Sequence, residues 1–136
     1  MNQPKYFLEI KSNHANLREV EDFVNNFCSQ LKLDQEKTSG LLLAVTEATT
    51  NAIIHGNKSD LQKSVKISVY ADRSTLTIII KDEGKGFNPA AVPDPTHPEN
   101  LLKDSGRGLY LMKIYMDGLS YNQTPEGTET ILKLSL

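Results

Sequence analysis

Glu47 and Asn51 stand four residues apart in the stretch TEATTNAIIHG, so on a helix they share one face, with His55 a further turn along. Their neighbours are apolar: Leu41–Ala44 precede them and Ile53–Ile54 follow. A carboxylate and an amide in such company either meet a ligand or form a solvated stripe. A second group follows the apolar run LTIIIK: DEGKGF, with Asp82, Gly84 and Gly86. An acid and two glycines at a strand end are either a plain turn or the floor of a pocket. In a third group Gly106, Arg107, Gly108 and Leu109 open a predicted helix. A helix start presents unpaired N–H groups and the positive end of the dipole, which attract phosphate, and flanking glycines let a ligand approach the backbone. Loop punctuation is the plain alternative. Gly127-Thr128, entering the last strand, is the weakest of the four and by itself only a turn.

The elements that must position these residues follow from hydrophobic period and caps. YFLEIK (6–11) alternates as a half-buried strand does. Asn13 offers an N-cap to a helix whose Leu17, Val20, Val24, Phe27 and Leu31 form one apolar face, with Cys28 beside it as a small core residue. Asp34 is the next N-cap, and the helix it opens runs to about His55, apolar on more than one stripe and stopped by Gly56 and Asn57. SVKISVYA (64–71) and TLTIIIKD (75–82) are predicted strands joined by a short turn at Asp72–Ser74, an antiparallel hairpin. Residues 88–100 hold four of the chain's six prolines and form an irregular loop of a length that is often functional. From Gly106 the pattern GRGLYLMKIYMD is helical. The strands LSYNQ and TETILKLSL close the chain around a PEGT turn.

Composition narrows the classes of function. A length of 136 residues suits one domain, and a net charge of −2 with scattered basic residues argues against nucleic acid. One cysteine excludes an intrachain disulfide, and His14, His55 and His97 are too far apart for a local metal motif. The start, MNQPKYFLEIK, lacks a signal-peptide core and no apolar run approaches membrane-spanning length, so a cytoplasmic protein is expected. The N-x-S/T matches at Asn57 and Asn122 are then chance.

The order of the four groups is more telling than any one of them. A helix with Glu and Asn, a strand-end D-x-G-x-G, a loop, a G-x-G opening a helix, and G-T on a strand resemble the nucleotide site of the GHKL ATPase superfamily. Within it, TEATTNAIIHGN and GRGLYLMKIYMD look most similar to the anti-sigma-factor serine/threonine kinases. The resemblance runs from the strand at 6–11 to Leu136 and implies an α+β, two-layer sandwich. Its sheet would be mixed and largely antiparallel, with the helices on one face, in a single domain over 1–136.

The resemblance also implies roles. Asp82 would accept from the adenine 6-amino group, with Thr128 supporting that contact, and Gly84 and Gly86 would leave room for the nucleotide. Asn51 would offer its amide oxygen to Mg²⁺, which keeps water and phosphate oxygens as its other ligands. Glu47 would take a proton from an attacking hydroxyl. Gly106, Arg107, Gly108 and Leu109 would hold the phosphates beneath an ATP lid at 88–105. Relatives often place a cation just before the second glycine motif; here Lys103 and Arg107 both qualify for the γ-phosphate. His55 is read as structural. The expected function is an ATP-dependent serine/threonine kinase and anti-sigma-type regulator that phosphorylates a STAS-type (anti-anti-sigma) partner. The alternative is an ATP-binding switch that sequesters a sigma factor with little transfer. Family members are commonly dimers, with the N-terminal strand and first helix the expected contact. A detached histidine-kinase catalytic domain would need a phosphoacceptor hairpin, and the Walker-A pattern G-x-x-x-x-G-K-[ST] is absent.

Overall fold

The computed structural model describes residues 3–84, 110 and 112–136. In chain order the elements are β1 (Tyr6–Lys11), a 3₁₀ turn (His14–Asn16), α1 (Leu17–Gln30), α2 (Gln35–Asn51), a π turn (Ala52–Gly56), β2 (Ser64–Ala71), β3 (Thr75–Lys81), β4 (Gly118–Thr124) and β5 (Gly127–Ser135). The strands form one sheet in the order β1-β2-β3-β5-β4. All four pairings are antiparallel, so among the described residues the expected mixed sheet is wholly antiparallel. The predicted loop at 88–105 and the start of the helix at Gly106 lie outside the described residues. Residues 112–115 are helical.

Local chemistry accounts for the boundaries. Asn13 caps the 3₁₀ turn, its Oδ1 accepting from the Ala15 N–H at 2.9 Å, and α1 begins only after that turn. Asp34 caps α2, its Oδ1 accepting from the Lys37 N–H at 2.8 Å. Asp72 folds the β2–β3 hairpin by accepting from the Ser74 and Thr75 N–H groups, both at 2.8 Å.

Period-2 burial gives the sheet one apolar face. Val65, Ile67 and Val69 of β2 are buried, Ile67 and Val69 pairing with Ile80 and Ile78 of β3, while Lys66 between them is exposed. The helices cover that face. Val20, Val24, Phe27 and Cys28 of α1 and Leu41, Ala44, Val45 and Ala48 of α2 join the same core. Tyr6 of β1 stacks on Phe27 with ring centroids 5.7 Å apart, which ties the edge strand to α1. A Cβ on Gly40 would lie 3.1 Å from Tyr115 Cδ1, so its absence lets the helix at 112–115 approach α2. The result is the two-layer α+β architecture expected from the sequence.

Candidate functional site

The register between β3 and β5 decides where Asp82 lies. Ile80 faces Thr130 and Lys81 faces Glu129, so the next residue along, Asp82, arrives beside Thr128. Its backbone N–H donates to the Thr128 carbonyl at 3.0 Å. Its side chain then turns inward, only 2% exposed. Oδ1 accepts from the Thr128 N–H at 3.1 Å and from the Gly84 N–H at 3.0 Å. Among the described residues nothing donates to Oδ2. Burial pushes this carboxyl above its ordinary value of 3.8, against the opposing pull of the Thr128 and Gly84 N–H groups and the charge of Lys63.

Three glycines pack closely around Asp82, one of them against its carboxylate. A Cβ on Gly56 would lie 2.1 Å from Asp82 Oδ2, and one on Gly84 would lie 1.6 Å from the Gly56 carbonyl oxygen. Gly127 has φ +154°, and a Cβ there would lie 1.9 Å from the Asp82 carbonyl oxygen. Only residues without side chains permit backbones this close. Residues 82–84 are therefore packed against neighbouring backbone and do not form a surface turn. Beside it the Thr128 hydroxyl, also buried, donates to Gln123 Oε1 at 3.0 Å and keeps lone pairs with which to accept.

Gly56 reaches Asp82 because α2 changes pitch. Thr49 and Thr50 turn their hydroxyls back onto the carbonyls of Val45 and Thr46, at 2.7 and 2.8 Å, a habit that loosens and bends helices. The α-helix ends at Asn51 and continues as the π turn, with the Asn57 N–H donating to the Ala52 carbonyl five residues back at 2.8 Å. The helical path thus stops where the sequence suggests, but the left-handed residues are Lys58 and Ser59, at φ 54° and 57°, and not Gly56. Gly56 serves close approach to the carboxylate.

Glu47 and Asn51 sit half-buried on α2, four residues apart, in the helix whose π extension touches Asp82. The Asn51 amide makes no hydrogen bond with any described residue, and the buried Thr46 hydroxyl likewise has no partner among them. A hard, neutral amide oxygen left over at this position fits a magnesium ion that keeps most of its ligands as water and phosphate. Among the described residues no group of three or more His, Cys, Asp or Glu side chains could hold a metal. His55 is half-buried on the π turn. The other predicted site residues, Gly86, Gly106, Arg107, Gly108 and Leu109, together with Lys103 and the loop at 88–105, lie outside the described residues.

Sequence reasoning missed Gly56 and Asn57, which it took only as a helix stop, and missed the closeness of Gly127 to Asp82. A glycine at a helix end signals a cap far more often than a packing contact, so the one-dimensional signal pointed elsewhere.

With this geometry in view, comparison with known proteins is decisive. The histidine kinase-like ATPase domain family matches residues 10–134. The chain belongs to that family. An anti-sigma F factor of Clostridium perfringens is 36% identical over 115 residues, covering 81% of each chain. The anti-sigma F factor of Bacillus subtilis is 36% identical over 112 residues, 79% of this chain and 75% of that one. One from Clostridium botulinum is 34% identical over 136 residues, 98% of this chain and 95% of its own. Among solved structures, the SiaB-SiaC complex from Pseudomonas aeruginosa aligns with a TM-score of 0.66 at 10% identity, over 98% of this chain and 91% of that one. The RsbU and RsbW domains of a Mycobacterium tuberculosis protein align with a TM-score of 0.64 at 16% identity, over 96% of this chain but only 32% of theirs. At such identities these structures speak for the histidine kinase-like fold alone. No helix among the described residues is long and apolar enough to cross a membrane.

Proposed function

We infer that the protein binds Mg-ATP and transfers the γ-phosphoryl group to a serine of a STAS-type, anti-anti-sigma partner. The observation that supports this most is the condition of Asp82, with Oδ1 engaged by two backbone N–H groups and Oδ2 left to accept. An acceptor held this way suits the 6-amino group of adenine, and Thr128 supports the same edge of the ring. Asn51 would hold the magnesium ion, which when bound offsets phosphate charge. Gly84 and Gly86 would lie along the nucleotide, and Gly106, Arg107, Gly108 and Leu109 would cradle the phosphates. Lys103 or Arg107 would meet the γ-phosphate.

Glu47 supplies the base. The partner's serine hydroxyl gives its proton to the Glu47 carboxylate while its oxygen bonds to the γ-phosphorus. The bond from that phosphorus to the bridging oxygen breaks, and its electron pair leaves with ADP. Glu47 later releases the proton to water. Glu47 and Asn51 share a helix face one turn apart, which supports this division of labour.

The name of the relatives, anti-sigma F factor, favours a second role for this protein, which we read as cytoplasmic: holding a sigma factor, with ATP as the effector. One assay separates the two. Purified protein is incubated with radiolabelled ATP, magnesium and candidate STAS-type partners, and sigma-factor binding is measured in parallel. Label on a partner serine is the expected result. ATP binding and sigma-factor binding without any label would reject phosphoryl transfer and leave the switch reading.

A further inference from the structure

Asn57 has no part in the chemistry above, yet it is fully buried and its side chain makes three hydrogen bonds. Nδ2 donates to Ser12 Oγ at 2.8 Å and to the Ser64 carbonyl at 3.0 Å. Oδ1 accepts from the Glu83 N–H at 2.7 Å. The Ser12 hydroxyl passes the connection on to the Lys63 carbonyl at 2.8 Å, and the Ser64 N–H donates to the Glu83 carboxylate. One amide thus joins the end of β1, the start of β2 and the step between Asp82 and Gly84.

The placement matters because of what flanks it. Glu83 lies between Asp82 and Gly84, the carboxylate and one of the N–H groups that orient it. Gly56, whose missing side chain leaves room at Oδ2, is the residue just before Asn57. Asn57 therefore holds both sides of the acceptor: its backbone carries Gly56, and its Oδ1 holds Glu83.

We propose that Asn57 is a positioning residue for purine selection, fixing Asp82 Oδ2 so that the site takes a 6-amino purine and rejects a 6-oxo one. The proposal rests on the reading of Asp82 as the adenine acceptor. A 6-amino group donates to Oδ2, whereas a 6-oxo group turns lone pairs toward it and leaves a buried acceptor unpaired. That rejection holds only while Oδ2 cannot turn aside or admit water. With Glu83 released, the Asp82–Gly84 step gains that freedom.

The test is equilibrium binding of ATP and of inosine triphosphate, its 6-oxo counterpart, to the full chain with magnesium. Wild type is expected to favour ATP by about a hundredfold or more. Asn57→Ala should lower that ratio by about tenfold, chiefly through weaker ATP binding. In an Asp82→Asn background the same change should leave the ratio where it was, because Asn57 acts through Asp82. Ser12→Ala, which removes one acceptor of the Asn57 amide and leaves the others, should lower the ratio by about two- to threefold and serves where Asn57→Ala does not fold. An unchanged ratio in these variants, or equal weakening of both nucleotides, would overturn the role of Asn57 while the adenine reading stands. A wild-type chain that binds neither nucleotide would overturn both.

Discussion

The two ends of the candidate site are built on opposite terms. At the Asp82 end, backbone groups and glycines do almost everything. Two N–H groups fix one carboxylate oxygen, Gly56 lies against the other, and Gly84 and Gly127 let the surrounding backbones close in. At the α2 end, the candidate groups Glu47 and Asn51 are side chains on one helix face. There the Asn51 amide has no partner among the described residues, and neither has the Thr46 hydroxyl beside Glu47. The contrast teaches a division of labour. On the proposed reading, a recognition contact that must discriminate is preorganised by backbone, which cannot change rotamer, whereas the proposed metal ligand, Asn51, keeps its amide for an ion.

Substitutions can take the two ends apart. The largest expected effect is at the helix. Glu47→Gln keeps shape and should leave ATP affinity unchanged in calorimetry, while labelling of a partner serine falls by about 10²–10⁴. A parallel loss of affinity would mean that the two ends are not separable.

Asp82→Asn makes the reverse cut. It should weaken ATP by about ten- to a hundredfold, the worth of a charged acceptor. The same substitution should leave folding intact or improve it, since burial works against the charge on this carboxyl. The sign follows from the raised folded-state pKa. Asp82's contribution to stability is fully present below its ordinary value of 3.8 and is lost as pH rises through the higher folded-state value. Urea midpoints of wild type and Asp82→Asn should therefore converge below pH 3.8, with the wild type falling behind as pH rises above it. A wild type that gains on the variant with rising pH would refute the desolvated carboxylate.

Thr128→Val keeps the volume of the side chain but removes its hydroxyl and the bond to Gln123. ATP affinity should drop by about fivefold, less than for Asp82→Asn, as befits one neutral hydrogen bond. An effect as large as that of Asp82→Asn would move the recognition role toward Thr128. The smallest expected effect is at Glu126, whose exposed carboxylate pairs with Lys81 at 2.9 Å on the solvent face. Glu126→Gln should shift neither the melting temperature nor ATP binding measurably, because exposed pairs contribute little.

How far the sequence alone carried the molecule depends on the reach of each signal. Asp34 declared a helix start and Asn13 the 3₁₀ turn that leads into α1, the stripe Val20–Val24–Phe27 declared a core face, and alternation in SVKISVYA and TLTIIIK declared a hairpin, because those preferences act over only a few residues. Glu47, Asn51, Asp82, Gly84 and Thr128 were legible as candidates through their types and order. Tertiary structure alone decided which of these meet. The pairing of β5 with β3, rather than with β4 alone, brings Thr128 to Asp82 across 46 positions of chain. No local preference encodes that choice; it comes from burying one continuous apolar face. The π turn, a single extra residue in a helical turn, swings Gly56 onto a carboxylate and Asn57 into a buried network with Ser12 and Ser64. To a reader of the sequence these were a helix stop and a chance N-x-S match. A side chain's hydrogen-bond partners are set by what folds around it, and Asn57 draws its partners from the ends of strands at either side of it in the chain.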